Sequence, residues 1–402
     1  MRFLLLLLVF SPLANLIAQD HPDCDGNRYR SVINAEIDAW RNIKFSEGKT
    51  IAGRDRELFL DIYAPKGDQS SSRPMVLLAF GGSFINGKRT DISWLCEEYA
   101  KRGFVAVSMD YRLYDLPLIP FPSAGDMQTV VVKSVVDMNA ALQFLINDAS
   151  IANTYGIDTN ALFVGGISSG SIMACHTAML DDADNLPSYI VNKLRSEGLI
   201  TDTTSMLGSK SIKGILNFSG ALHIGDWYDS SDPPLFSCHD DGDGTVPYKN
   251  GYGQVFGQNI VELEGSFILD SLAKVRGMVS ELITIPNSAG HVSYFTNETQ
   301  KNEIVQKSAV FMYKLLCSDR AESRDLDKLK ISTSPNPFSH ELKFNVDQAN
   351  NLKIELTDLT GTILMSLDSS NGIFKTDKLC AGIYFLRVVS DNGITVKKLI
   401  KQ

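Results

Sequence analysis

From Phe163 to Ser171 the chain reads Phe-Val-Gly-Gly-Ile-Ser-Ser-Gly-Ser, so Gly166-x-Ser168-x-Gly170 falls where an apolar run stops and a helical pattern begins. A serine there must sit on a tight, strained bend with its hydroxyl exposed. Side chains two places before or after it would strike the adjoining strand and helix. Ser169 does not meet the spacing, because Ile167 lies two places before it. A serine hydroxyl is a weak nucleophile until a base takes its proton, and the histidines available are His21, His176, His223, His239, His291 and His340. His21 and His340 lie beside or within the two end segments set apart below, and His239 ends an apolar run. His176 falls two turns into the helix after Ser168 and is expected to point away along its axis. His291, on the small-residue loop Pro286-Asn287-Ser288-Ala289-Gly290-His291-Val292-Ser293, is the expected base. A carboxylate between the two in the chain should orient the imidazole and stabilise its protonated form. The stretch His239-Asp240-Asp241-Gly242-Asp243-Gly244-Thr245-Val246-Pro247 offers three. A calcium loop is excluded there, because Thr245 stands where a further oxygen ligand is needed and Tyr252 where a glutamate is needed.

The elements that must hold these residues follow from the hydrophobic pattern. Short apolar runs occur at 58–63, 75–80, 103–109, 161–165, 212–218, 234–238 and 282–286, with helical patterns at about 90–102, 127–148, 169–180 and 266–278. Runs apolar on both faces that alternate with amphipathic helices predict an α/β fold, a mostly parallel sheet flanked by helices. Its chemistry is expected at the carboxyl ends of the strands. Asp181 to Lys210, with a helix near Pro187 to Arg195, would lie over those ends, as a partial lid or as surface decoration. The pair Trp227-Tyr228 reads as core or pocket wall.

With these residues in place, the chain from about 55 to 315 resembles an α/β-hydrolase of the esterase/lipase type. Members carry His-Gly-x-x-Asp-x-x-Val-Pro after the strand that precedes the acid, and His239, Asp243, Val246 and Pro247 match it. The resemblance therefore selects Asp243 as the acid. Asp240 stands where the family has glycine, which leaves room for a role of Asp240 or Asp241. Asp110-Tyr111-Arg112-Leu113, Tyr155-Gly156-Ile157-Asp158 and Asp137, expected to be structural, also fit the pattern. Phe80-Gly81-Gly82-Ser83-Phe84 resembles the His-Gly-Gly-Gly oxyanion loop, which implies backbone donors at Gly82 and Ser83 beside the N–H of Ser169. Phe80 cannot make the polar contacts of the family's histidine, so the loop must be held in another way.

The rest of the chain supplies addresses. In 402 residues, 44% are hydrophobic and 21% charged, with 30 Gly and 14 Pro, a globular composition. A formal net charge of -9 gives no global attraction to nucleic acid or anionic lipid. Cys24, Cys96, Cys175, Cys238, Cys317 and Cys380 contain no CxxC pair, so no cysteine-based metal or thioredoxin-type site is expected, and their pairing is open.

Met1-Arg2, the apolar run Phe3–Phe10 and the polar Gln19-Asp20 read as a signal peptide over residues 1–18. No further membrane span is expected. Residues 19–317 form the expected catalytic domain and the charged stretch 318–330 a linker. Alternating runs from 331 to 402, separated by turn signals, predict a small antiparallel β-sandwich. Pro335-Asn336-Pro337-Phe338, Asp358-Leu359-x-Gly361, Ala381-Gly382-Ile383-Tyr384-Phe385 and Lys397-Lys398-Leu399-Ile400-Lys401-Gln402 resemble the type IX secretion sorting domain of Bacteroidota. That resemblance implies a partnership with the type IX machinery and export through the periplasm of a Gram-negative bacterium to the cell surface or medium.

Together the resemblances imply a secreted serine carboxylic-ester hydrolase acting on a small-molecule or polysaccharide-linked ester. No cofactor or metal is required. A serine peptidase of the same fold and a catalytically silent adhesion protein are the alternatives.

Overall fold

The computed structural model describes residues 21–200, 212–317, 331–346, 352–358, 362–368, 371–390 and 393–402. The expected signal peptide and linker, and the end of the 181–210 segment, lie outside the described residues. The chain divides into two compact units, Met1–Ser318 and Asp319–Gln402.

In the first unit the strands are β1 (Ile37–Lys49), β2 (Asp55–Pro65), β3 (Arg73–Ala79), β4 (Val105–Met109), β5 (Ile157–Ile167), β6 (Ile212–Phe218), β7 (Ala221–Leu222), β8 (Leu235–Asp240), β9 (Asn250–Val255), β10 (Gln258–Gly265) and β11 (Ser280–Ile285). The helices are α1 (Ser93–Ala100), α2 (Ala124–Ile151), α3 (Ser169–Met179), α4 (Ser188–Ser196), α5 (Ser266–Val275) and α6 (Glu298–Leu316). Eight strands make one sheet in the order β1-β2-β4-β3-β5-β6-β8-β11. From β4 to β11 all neighbours are parallel, while β1-β2 and β2-β4 are antiparallel. Every residue of β3 is buried, as expected of a central strand covered on both faces.

The first strand, β1, lies outside the predicted runs. It is an edge strand with mostly exposed side chains, so no buried face marks it in the sequence. The last helix, α6, is also additional to the prediction, and Asn297 caps it by accepting from the N–H groups of Thr299 and Gln300. Although α2 is apolar and long enough to cross a membrane, residues from Met127 to Leu145 bury it in the core. A disulfide joins Cys24 to Cys317, tying the start of the described chain to the end of α6, and Cys96, Cys175 and Cys238 are buried free thiols.

The second unit is all-β. β12 (Ile331–Ser334), β13 (Glu341–Val346) and β16 (Asn371–Lys375) form one antiparallel sheet. β14 (Lys353–Thr357), β15 (Ile363–Leu367), β17 (Gly382–Ser390) and β18 (Gly393–Lys401) form the other. Alternate residues such as Leu342, Phe344, Ile354, Leu356, Leu386 and Val388 fill its core.

Candidate active site

Four loops leave the carboxyl ends of parallel strands: Phe80–Phe84 after β3, Ser168 after β5, Asp241–Val246 after β8 and Pro286–Val292 after β11. The register keeps them level. Ala79 pairs with Gly166, Ile167 with Phe218, and Asp240 with Ile285.

Ser168 occupies the turn between β5 and α3 with φ 55° and ψ −119°, a conformation costly for any residue but glycine. The surroundings impose it. The Ser168 N–H donates to the Phe218 carbonyl (2.8 Å), and Ser171 Oγ accepts from the Phe218 N–H (2.7 Å) while donating to the Gly166 carbonyl (2.8 Å). A Cβ on Gly170 would lie 2.2 Å from the Ala79 carbonyl oxygen, and one on Gly166 would lie 2.5 Å from the Gly170 backbone. The two glycines are thus required by close backbone approach.

His291 Nε2 lies 2.7 Å from Ser168 Oγ, and His291 Nδ1 lies 2.6 Å from Asp243 Oδ2. Because an ionised carboxylate only accepts, Nδ1 carries the proton and Nε2 offers its lone pair to the serine hydroxyl. Asp243 is bound on every side. Its Oδ1 accepts from the N–H groups of Thr245 (2.8 Å) and Val246 (3.1 Å). His239 Nε2 faces Asp243 Oδ2 at 3.3 Å and the Val246 carbonyl at 3.1 Å, while its Nδ1 accepts from Ser266 Oγ at 2.7 Å. Burial pushes the Asp243 carboxyl up, but hydrogen bonds from His239 and His291 outweigh it and hold the group well below the usual carboxylate range. Asp243 is therefore ionised wherever the protein is folded at moderate pH.

The neighbouring aspartates do not reach His291. Asp240 accepts from Ser288 Oγ (2.5 Å), from Ser293 Oγ and from the Ser293 N–H (3.1 Å). Asp241 accepts from the N–H groups of Asn287 (3.0 Å) and Ser288 (3.1 Å). Both brace the loop that carries the histidine.

Gly82, Ser83 and Phe84 all have positive φ (138°, 56° and 60°), which turns the loop after β3 back against Ser168. A Cβ on Gly81 would lie 3.3 Å from Ser168 Cβ. Among the described residues, the N–H groups of Gly82, Ser83 and Ser169 have no hydrogen-bond partner. Ser83 and Ser169 line the pocket with Ser168, whereas the Gly82 carbonyl closes the turn by accepting from the N–H groups of Ile85 (2.9 Å) and Asn86 (3.1 Å). Phe80 is held by an aromatic stack on Tyr111, with ring centroids 4.3 Å apart. The Tyr111 hydroxyl donates to the Phe80 carbonyl (2.8 Å) and accepts from Ser169 Oγ (3.2 Å). Phe80 is thus held by stacking rather than by a polar side-chain anchor, and Tyr111 ties the Phe80–Phe84 loop to the start of α3.

The pocket at Ser168 is walled by α2, α3, α4 and the β9–β10 hairpin. His176 lies in this wall, which corrects the expectation that it points away: at eight residues past Ser168 it shares Ser168's face of α3. Trp227 also lines the pocket, whereas Tyr228 is buried in the core. Ile190 and Leu194 of α4 complete one side. Glu197, just past α4, anchors it through Arg112 Nη1 (3.0 Å) and Lys133 Nζ (2.5 Å), and Arg112 Nε in turn donates to the buried Asp137 (2.8 Å).

Residues 60–231 match the BD-FAE family model, and residues 333–402 match the secretion system C-terminal sorting domain. The first match includes the Phe80–Phe84 loop and Ser168 and ends before Asp243 and His291. A fumonisin B1 esterase of Sphingopyxis macrogoltabida is 26% identical over 154 residues, 37% of this chain and 25% of that protein. The isoprenylcysteine alpha-carbonyl methylesterase of Arabidopsis thaliana is 30% identical over 125 residues, 31% of this chain and 25% of that protein. The chain thus spans about a quarter of the length of these curated relatives. Among solved structures, apo Thermogutta terrifontis esterase 2 aligns at 18% identity and a TM-score of 0.48, covering 72% of this chain and 98% of that one. Residues 60–231 thus belong to an α/β-hydrolase domain of the esterase type, and residues 333–402 are a type IX secretion sorting domain.

Proposed function

We propose that the protein is an exported serine carboxylic-ester hydrolase that works through an acyl-enzyme. The observation that carries this reading is the continuous chain from Ser168 Oγ through His291 to Asp243, with links of 2.7 and 2.6 Å, at the wall of an apolar pocket. Ser168 Oγ attacks the ester carbonyl carbon while His291 Nε2 takes the hydroxyl proton, and Asp243 stabilises the imidazolium that results. The carbonyl oxygen gains charge within reach of the Ser83 and Ser169 N–H groups, with Gly82 as a third donor. Each such donor is worth about 2.7 to 4 kcal/mol of barrier. Collapse expels the alkoxide, which takes the proton from His291. A water then repeats the sequence on the acyl-enzyme and frees the acid and Ser168.

Export is supported by the sorting domain and by the Cys24–Cys317 disulfide, which suits an oxidising compartment. In this reading residues 19–317 carry the chemistry, and the tail engages the type IX machinery. The substrate is a small-molecule or polysaccharide-linked ester.

A fluorophosphonate probe tests the mechanism, because it traps a serine only when an adjacent base activates it. Folded protein should be labelled stoichiometrically, with the adduct mapped by mass spectrometry to the peptide holding Ser168. An unlabelled folded protein, or an adduct on another serine, would overturn the proposal.

A further inference from the structure

We propose that the ester taken by this site carries an aliphatic chain of at least six carbons, which lies in the pocket between α2, α3, α4 and the β9–β10 hairpin. This rests on the ester-hydrolase reading of Ser168. Ile172, His176 and Leu180 follow Ser168 at four-residue steps, so by His176 the α3 wall already extends roughly 12 Å from the nucleophile. Met127, Val131 and Val135 repeat the spacing on α2, and Ile260 and Leu263 contribute from the hairpin. No Asp, Glu, Lys or Arg lines the pocket among the described residues.

Its two histidines do not make it polar. His176 Nδ1 donates to the Ile172 carbonyl (2.7 Å), and its Nε2 accepts from the His223 N–H (3.2 Å). His223 Nδ1 donates to the Glu262 carbonyl (2.8 Å), and its Nε2 accepts from the Tyr189 hydroxyl (2.9 Å). With every ring nitrogen engaged by protein, both rings present carbon edges to a ligand. Burial also pushes the His176 pKa down to about 4, so its ring is neutral at physiological pH. Such a wall gives sugar hydroxyls few partners and gives methylenes a dry surface. Outside it, Phe256 in the hairpin turn is 69% exposed and meets Phe121 edge-on, extending the apolar character to the surface.

The test is kcat/KM along two series, p-nitrophenyl acyl esters from two to twelve carbons and alkyl acetates from ethyl to decyl. Each buried methylene contributes at most about fourfold, and we expect a rise of at least thirtyfold from two to eight carbons in one series. Val131→Trp and Ile260→Trp, which narrow the pocket, should lower kcat/KM for the eight-carbon ester at least tenfold more than for the two-carbon ester, and an equal loss on both esters would overturn the proposal. Flat or falling profiles in both series would overturn the proposal, while labelled Ser168 would leave the ester reading standing. If no ester is turned over, calorimetry on Ser168→Ala still decides: decanoate should bind at least tenfold tighter than butyrate, and equal affinities would overturn the proposal.

A separate observation concerns the loop that carries the base. Val292, next to His291, has φ 58° and ψ 30°, a left-handed conformation unfavourable for a β-branched residue. The residue after it is clamped by Asp240, through the Ser293 N–H and hydroxyl, and Asp240 also holds Ser288 on the other side of His291. We infer that Asp240 is a positioning residue: it holds Val292 in its strained turn and so keeps His291 Nε2 on Ser168. Asp240→Asn replaces one acceptor by an NH2 that opposes the surrounding donors. It should lower kcat at least tenfold while KM changes less than twofold, well below the melting temperature. Adding Val292→Gly, which takes the same φ without strain, should restore most of kcat. Ser293→Ala, a milder change that keeps Asp240, should give a smaller loss of the same kind. Unchanged kcat in both Asp240→Asn and Ser293→Ala, or a loss that Val292→Gly does not restore, would overturn the inference.

Discussion

Ser168→Ala should lower kcat on p-nitrophenyl esters by roughly 10⁶-fold and leave the melting temperature nearly unchanged. The two outcomes have different physical sources. Ser168 Oγ bonds to His291 Nε2, whereas the turn is held by the Ser168 N–H on Phe218 and by Ser171, which alanine at 168 leaves intact. Alanine also keeps the Cβ and hence the same backbone cost at φ 55°. Ser169→Ala is the matched control. It removes a hydroxyl that donates to Tyr111 but keeps the backbone N–H proposed as an oxyanion donor, so it should cost far less than Ser168→Ala. Equal rates for wild type and Ser168→Ala would end the serine mechanism.

Asp243→Asn should lower kcat by about 10⁴-fold, with the fold retained. Oδ1 of Asp243 accepts two backbone N–H groups, so the amide oxygen of asparagine must take that place and its NH2 must take the place of Oδ2. There it meets the Nδ1 of His291 and the Nε2–H of His239. His291 can satisfy the new donor only by moving its proton to Nε2, which then points a hydrogen at Ser168 where a lone pair is needed. A proton-resolved NMR spectrum should lose the Nδ1–H signal bridging the pair.

The variant also separates catalysis from stability. Asp243 has a folded pKa below its unfolded value, so its stabilisation is present above about pH 4 and is lost as pH falls toward the folded value. Wild type should therefore lose melting temperature between pH 4 and pH 2 more steeply than Asp243→Asn. Parallel slopes would mean that the carboxylate is not held by its neighbours in solution.

The chain made the spacing around Ser168 legible because the requirement there is local. Gly166 and Gly170 have no room for a Cβ, and that constraint leaves the same mark in any chain that builds the turn. The parallel strands were legible for a similar reason, since burial on both faces demands uninterrupted apolar runs. Edge strand β1 and helix α6 were not, because half-exposed elements can be written in many compositions. The alternating runs of the tail and its sorting motifs could also be read directly, as period two leaves little freedom in a thin sandwich.

The arrangement around these local signals was decided by tertiary structure. Three aspartates lie within four residues after His239, and only the register of β8 on β11 turns Asp243 toward His291 and gives Asp240 and Asp241 to the loop beneath it. The stack of Phe80 on Tyr111 joins residues 31 apart in the chain, and the pocket joins α2, α3, α4 and the hairpin. The eight-residue spacing places His176 on Ser168's side of α3, and only the packing of α2, α4 and the hairpin against that side makes it a pocket wall. Residue types and short spacings follow from local steric limits, whereas the direction of a side chain and its partner depend on packing between segments distant in sequence.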